Sequence, residues 1–335
     1  MINFTKNKLK KALLAKEAKL ATSDDLFKFS KIEKWQASPD LISLQKWSVE
    51  QTKKSSSFYE APKTKVILKN GILKFKSPII SPYTENNTAY AQYFKSSKPS
   101  KSAVIILGHW NSEKKTYNQL ANFYRLGGIS AVRLSLPYHD ERRPTDMPIA
   151  TPMLSADLNQ TIESMQQATL ETKILVNWLE IKGYKKIGIV GASLGSSVAL
   201  LAAAHDKRIK ATVLYLSAAD TAELIWRSTA TEHLRKSFDT SLSLEDLSQA
   251  WSCISPANYL HQLARKDFAA HLAWGRFDSV CPVDLTQRML TQLRKHNVPI
   301  TDVSYPCGHN TLGIAPFIHM AGLQGLAFMQ KRLKT

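Results

Sequence analysis

Cysteine is scarce in this chain: its 335 residues include three, Cys253, Cys281 and Cys307. Thiols so few and so far apart exclude a disulfide framework and a cysteine-built zinc site, and reduced, buried thiols are expected. One pairing stays open, since Cys281 and Cys307 each lie within three residues of a candidate functional residue and could meet in space as a disulfide. Long apolar runs are missing too. No stretch reaches the roughly 18 apolar residues that a spanning helix needs. The early apolar run at 12–15 is cut by Lys16 and Glu17, too soon for a secretory signal. A cytoplasmic location is therefore expected, with peripheral membrane association left open. The chain has no Gly-x-x-x-x-Gly-Lys-Ser/Thr phosphate loop, no dinucleotide fingerprint and no cluster of metal ligands, so neither a cofactor nor a metal is expected.

Negative charge is also in short supply. Lys and Arg number 45 against 27 Asp and Glu, a formal net charge of +18, with a pI near 9.7. Residues 1–101 contain 20 lysines, no arginine and 8 acidic residues, so they carry +12 of that total. A basic excess of this kind raises affinity for polyanions without defining a function. The expectation is a solvated lysine-rich surface with weak contact to anionic surfaces and no specific nucleic-acid partner.

What is present describes a globular protein: 44% of residues are hydrophobic and 21% charged, ample for a large core. Over residues 1–34, lysines alternate with Leu9, Leu13, Leu14, Ala18 and Leu20, a basic helical pattern. The absence of a bulky aromatic stripe favours a helix packed on the main body over a membrane-surface helix. Trp35, Trp47, Phe58 and Tyr59 suggest a second helical segment, so residues 1–62 read as a basic helical N-terminal extension. Asn70-Gly71 between apolar runs predicts a hairpin over 66–75, and 89–94 supplies another strand.

From residue 103 the pattern becomes strand, loop, helix in repetition, the signature of an α/β fold with a mostly parallel sheet covered on both faces. Buried strands are predicted at 103–107, 129–136, 187–192, 211–216, 268–275 and 300–305, with a long helix over 155–182. Residues 221–265 leave this rhythm for mixed helical segments carrying Trp226, Phe238, Trp251 and Tyr259, which predicts an inserted helical cap over the site.

The chemistry gathers at strand ends. Gly191-Ala192-Ser193-Leu194-Gly195 follows an apolar strand and precedes a small-residue helix, the context of a nucleophile elbow presenting Ser193. Asp220 and Asp278 each sit just past a later strand, and residue type alone does not choose between them. His309 follows Gly308 at the end of the last strand. The loop Gly108-His109-Trp110-Asn111-Ser112 lies at a strand's carboxyl end, where open α/β sheets keep their sites. The loop over 137–144 holds His139, Arg142 and Arg143. It reads equally as a pocket wall, with His139 or Arg142 meeting a polar substrate group, or as a self-satisfied loop whose arginines pair with Asp140, Glu141 or Asp146. His109 could line the pocket or only orient its loop.

The order Ser193, Asp, His309 on an elbow and two later strand ends resembles the α/β-hydrolase superfamily, in particular its serine esterase or lipase-type members and a bacterial branch of them. The resemblance covers roughly 63–333 and implies an α/β-hydrolase domain over 63–335 with its cap near 221–265. It favours Asp278, in the Gly275-Arg276-Phe277-Asp278 loop, over Asp220 as the triad acid. It further implies an oxyanion hole formed by the N–H groups of Trp110 and Leu194, although Gly108-His109 departs from the His-Gly of many relatives. The activity implied is hydrolysis of a carboxylic ester of a small-molecule acyl substrate through an acyl-serine. An acyltransferase, thioesterase or amidase with the same triad, and a non-catalytic binding protein using its basic N-terminal region, remain alternatives. Acyl chain length, leaving group and oligomeric state are not legible.

Overall fold

Every residue of Ser102–Leu107 is buried, and its side chains divide strictly by parity. Ala103, Ile105 and Leu107 enter one hydrophobic cluster, whereas Val104 and Ile106 enter another. A strand buried on both faces needs helices on both, and each fully buried Ile of this strand contributes about 2 kcal/mol of transfer free energy. The computed structural model describes residues 2–23, 40–98, 100–147, 149–238 and 241–333. Its nine strands are β1 (Ile67–Lys69), β2 (Ile72–Lys76), β3 (Thr88–Phe94), β4 (Ser102–Leu107), β5 (Ser130–Leu134), β6 (Lys186–Ala192), β7 (Ile209–Tyr215), β8 (Ala269–Gly275) and β9 (Ile300–Tyr305). They form one sheet in the order β1-β2-β3-β5-β4-β6-β7-β8-β9.

The β1–β2 hairpin turns on Asn70 (φ 51°) and Gly71 (φ 76°), both in the left-handed region that a two-residue turn requires. β1, β2 and β3 pair antiparallel, and β3 joins β5 antiparallel. From β5 through β4 to β9 every pairing is parallel. This is the expected α/β-hydrolase sheet, mostly parallel with helices around it. Leu158–Ile181 and Leu194–Ala204 cover one face. Lys114–Leu126 and Phe317–Leu333 cover the other.

The carboxyl ends of β4, β6, β8 and β9 therefore lie along one edge of the sheet, which brings the 108–112, 193, 278 and 309 positions to a common side. Over it fold the helices Thr221–Arg227, Glu232–Phe238 and Leu244–Ala250. At the N-terminus, a helix spans Ile2–Ser23 and another Leu41–Lys53. The second meets residues 244–254: Gln45 donates to Asp246 Oδ1 (3.1 Å), and the Ser48 and Ser252 hydroxyls pair at 3.1 Å. Trp35 and most of the linker between the two helices lie outside the described residues. All three cysteines are free and buried, so the Cys281–Cys307 disulfide held open above does not form.

Candidate active site

β6 ends at Ala192, and the chain reverses through Ser193 into the helix Leu194–Ala204. Ser193 takes φ 50° and ψ −117°, a strained conformation for a side-chain-bearing residue that costs on the order of 1–3 kcal/mol. The surroundings hold it there. A Cβ at Gly191 would run into the Gly195 backbone, and one at Gly195 into the carbonyls of Leu107 and Gly108, so only glycine fits on either side of the turn. The Ser193 N–H donates to the Tyr215 carbonyl (2.8 Å), tying the elbow to β7.

His309 Nε2 stands 3.2 Å from Ser193 Oγ. On the other side of the ring, Nδ1 lies 2.9 Å from Asp278 Oδ2 and 3.1 Å from Oδ1. An ionised carboxylate can only accept, so Nδ1–H donates to Asp278 and Nε2 is left to accept the serine proton. Asp278 Oδ1 also accepts from the N–H groups of Val280 (3.0 Å) and Cys281 (2.7 Å), which fixes the carboxylate in its loop. The loops after β8 and β9 are joined by Arg276 N–H to Tyr305 O and Phe277 N–H to Cys307 O, both 2.9 Å. Asp220 does not reach His309. Its carboxylate caps the helix Thr221–Arg227, accepting from the Glu223 N–H at 2.9 Å.

Trp110 and Leu194 both line the cavity in front of Ser193. Among the described residues, neither backbone N–H takes a protein acceptor. The Trp110 loop is held rigidly. Its indole donates to the Ala150 carbonyl (2.9 Å), the Ala150 N–H donates to Asn111 Oδ1 (2.6 Å), and the Asn111 N–H donates to His139 Nε2 (2.8 Å). His109 lines the cavity and shares a 2.7 Å hydrogen bond between Nδ1 and the Tyr117 hydroxyl. Burial, then the nearby His309 and His139, push its pKa down to about 4.

Two substrate-binding expectations are corrected. Arg142 is fully buried and forms a two-pronged pair with Glu171, Nη1 to Oε2 at 2.6 Å and Nη2 to Oε1 at 2.8 Å. Its other two Nη donors go to the carbonyls of Ser135 (3.0 Å) and Asn86 (2.8 Å), and the side chain is absent from the cavity lining. The partner is not one of the neighbouring acids but a residue 29 positions on, inside the long helix Leu158–Ile181. His139 is likewise buried and does not line the cavity. Its Nδ1–H donates to the Pro137 carbonyl (2.8 Å), which leaves Nε2 as the acceptor for Asn111. Burial lowers its pKa to about 4, consistent with a neutral ring.

The cavity measures about 370 Å³. Leu154, Met165, Leu216, Leu224, Ile225 and Val280 supply its apolar wall, and Ser228, Thr229, Thr231, Glu232 and Asn310 its polar part. The segment 221–232 thus contributes a wall of the cavity, whereas the aromatics Phe238, Trp251 and Tyr259 are buried in the core. Among the described residues no group of three or more His, Cys, Asp or Glu could hold a metal, and no helix is long and apolar enough to cross a membrane.

One residue the sequence reading passed over is Glu17. It is the sole acidic residue among the first 23, a signal that was available. It is buried, and its carboxylate accepts from the backbone N–H groups of Asn310 and Thr311, both at 2.8 Å.

Residues 118–301 match the model of the family described as alpha/beta hydrolase domain containing 18. No curated protein matches the sequence significantly. Solved structures of similar fold include an acetyl xylan esterase from Thermoanaerobacterium (16% identity, TM-score 0.58, covering 87% of this chain and 94% of that one). An acetyl xylan esterase from Paenibacillus aligns at 14% identity and TM-score 0.60, over 91% of this chain and 98% of its own. An acylaminoacyl peptidase from Pyrococcus horikoshii aligns at 15% identity and TM-score 0.60, over 82% of this chain and 42% of its own.

Proposed function

The chain belongs to the family of alpha/beta hydrolase domain containing 18, and from that premise we propose that it is a serine hydrolase cleaving a carboxylic ester or related acyl compound through an acyl-serine intermediate. The observation that carries this reading is the continuous chain Ser193 Oγ, His309 Nε2, His309 Nδ1, Asp278, with the serine on a strained elbow at the floor of a cavity.

In this mechanism Ser193 Oγ attacks the acyl carbon while His309 Nε2 takes its proton. Asp278 holds the imidazole tautomer and stabilises the imidazolium. The developing oxyanion meets the N–H groups of Trp110 and Leu194, each worth about 3–4 kcal/mol in comparable enzymes. His309 returns the proton to the leaving oxygen as the carbon–oxygen bond breaks. Water, activated by the same histidine, then attacks the acyl-serine and releases the acid. A cavity of about 370 Å³ sits at the small end of ligand sites and suits short or medium acyl groups against its apolar wall.

The test is hydrolysis of p-nitrophenyl esters of short and medium acyl chains. Wild type is expected to turn them over and Ser193→Ala to lose at least about a thousandfold in kcat. Equal rates in the two proteins would sink the proposal. An acyl-serine does not dictate its acceptor, so added alcohols, amines and thiols separate hydrolysis from acyl transfer. The amide-cleaving alternative finds a parallel in the acylaminoacyl peptidase of similar fold.

A further inference from the structure

The N-terminal helix Ile2–Ser23 reaches the loop that carries His309 through Glu17, whose partner Asn310 lies 293 positions on in the sequence. Glu17 Oε1 accepts from the Asn310 N–H (2.8 Å). Glu17 Oε2 accepts from the Thr311 N–H (2.8 Å) and the Thr311 hydroxyl (2.7 Å). The same hydroxyl accepts from the Gly308 N–H at 2.7 Å. The carboxylate therefore grips the backbone directly after His309 and, through Thr311, the backbone directly before it. Gly308 is shaped for this contact: a Cβ there would run into the Glu17 carboxyl group. Seven residues away on the same helix, the Lys10 ammonium lies 5.4 Å from the centre of the Phe277 ring, next to Asp278.

We propose that Glu17 is a positioning residue for His309, so that the N-terminal helix is a working part of the active site rather than an appendage. The inference rests on the serine-hydrolase reading of that site. Physically, three charge-assisted donors converging on one buried carboxylate fix a short loop far more tightly than water would. A fixed loop holds Nε2 at attack distance from Ser193, and a displacement of about 1 Å there costs about a hundredfold in rate. The carboxylate also places a negative charge on the loop that carries the imidazole, where it acts on the Cys307 thiol. Among the described residues, the titratable and charged groups about His309 include Asp278 on Nδ1, His109 and Glu232, which line the cavity with it, and Cys281, Cys307 and Arg276 on the neighbouring loops. Burial raises both thiols, Cys307 to about 12, so neither ionises below pH 9.

The test compares full-length wild type, Glu17→Gln, Glu17→Ala and Gly308→Ala, each checked for folding by circular dichroism. Three readouts are taken: ester hydrolysis, its pH profile, and the titration of the His309 ring by NMR. In the variants kcat is expected to fall tenfold to a hundredfold with KM changed by less than about twofold. In Glu17→Gln the ring loses a stabilising negative charge, so the His309 pKa and the acid limb of the profile move to lower pH by about half a unit or more. A merely structural role would lower thermal stability and leave that limb in place. Glu17→Ala and Gly308→Ala combined should cost little more than either alone, because both remove the same contact. Unchanged kcat and an unmoved His309 titration in folded Glu17→Gln and Gly308→Ala would overturn the inference. If wild type hydrolyses no ester, the hydrolase reading fails by itself, and the NMR titration still decides on Glu17.

Discussion

Ser193 pays a conformational cost that only its neighbours make tolerable. Its φ of 50° is imposed by the close approach of Gly191 and Gly195 and by the bond from its N–H to Tyr215. The same logic of over-determination explains Arg142, though with a different outcome. Its guanidinium has a carboxylate and two carbonyls as partners, and Glu171 in turn accepts from Ser77 (2.7 Å) and Gln167 (3.2 Å). Removing one partner of a fully buried pair strands the other, which costs about 3–5 kcal/mol. Arg142→Met is thus expected to lower unfolding free energy in urea by that amount while KM for a good ester stays within about twofold. A large KM effect without loss of stability would restore the substrate-binding role that its burial argues against.

At the scale of elements, the site is assembled by loops that brace one another. The loop after β4 carries Trp110 and the loop after β5 carries His139, whose neutral ring accepts the Asn111 N–H. His139→Phe fills the space but strands that N–H and the Pro137 carbonyl. The expected result is a tenfold to hundredfold drop in kcat with little change in KM, as loosening the loop proposed to bind the oxyanion requires. The pH dependence of stability follows from the same burial. His109 and His139 are both held to a pKa of about 4, below the free imidazole value near 6.5. Between those values the unfolded chain binds protons that the folded one refuses, so stability falls as pH drops from about 6.5 to 4. His139→Phe should flatten that fall, measured by Tm across the range. An unchanged slope would show that His139 is not among the groups responsible.

Across the whole molecule, short-range pattern made most of the architecture legible. The apolar runs of β4 to β9 announced a parallel sheet, Gly191 to Gly195 announced the elbow, chain order pointed to His309, and the family resemblance favoured Asp278 over Asp220. Side-chain partnerships between distant segments were not legible, because neither residue type nor spacing encodes them. Glu17 meets Thr311 across 294 positions, Arg142 meets Glu171 across 29, and His139 meets Asn111 across 28. For that reason the loop over 137–144 read equally as a pocket wall and as a self-satisfied loop, and the N-terminal helix, expected to pack on the main body, did not announce which loop it would meet.

The central claim is that Ser193 is a nucleophile activated by His309. Folded wild-type protein treated with a fluorophosphonate and mapped by mass spectrometry should carry one adduct, on Ser193. Ser193→Ala should carry none there, and His309→Ala should label at least about a hundredfold more slowly. Folded wild type that takes no adduct on Ser193, or labels equally fast without His309, would contradict the account.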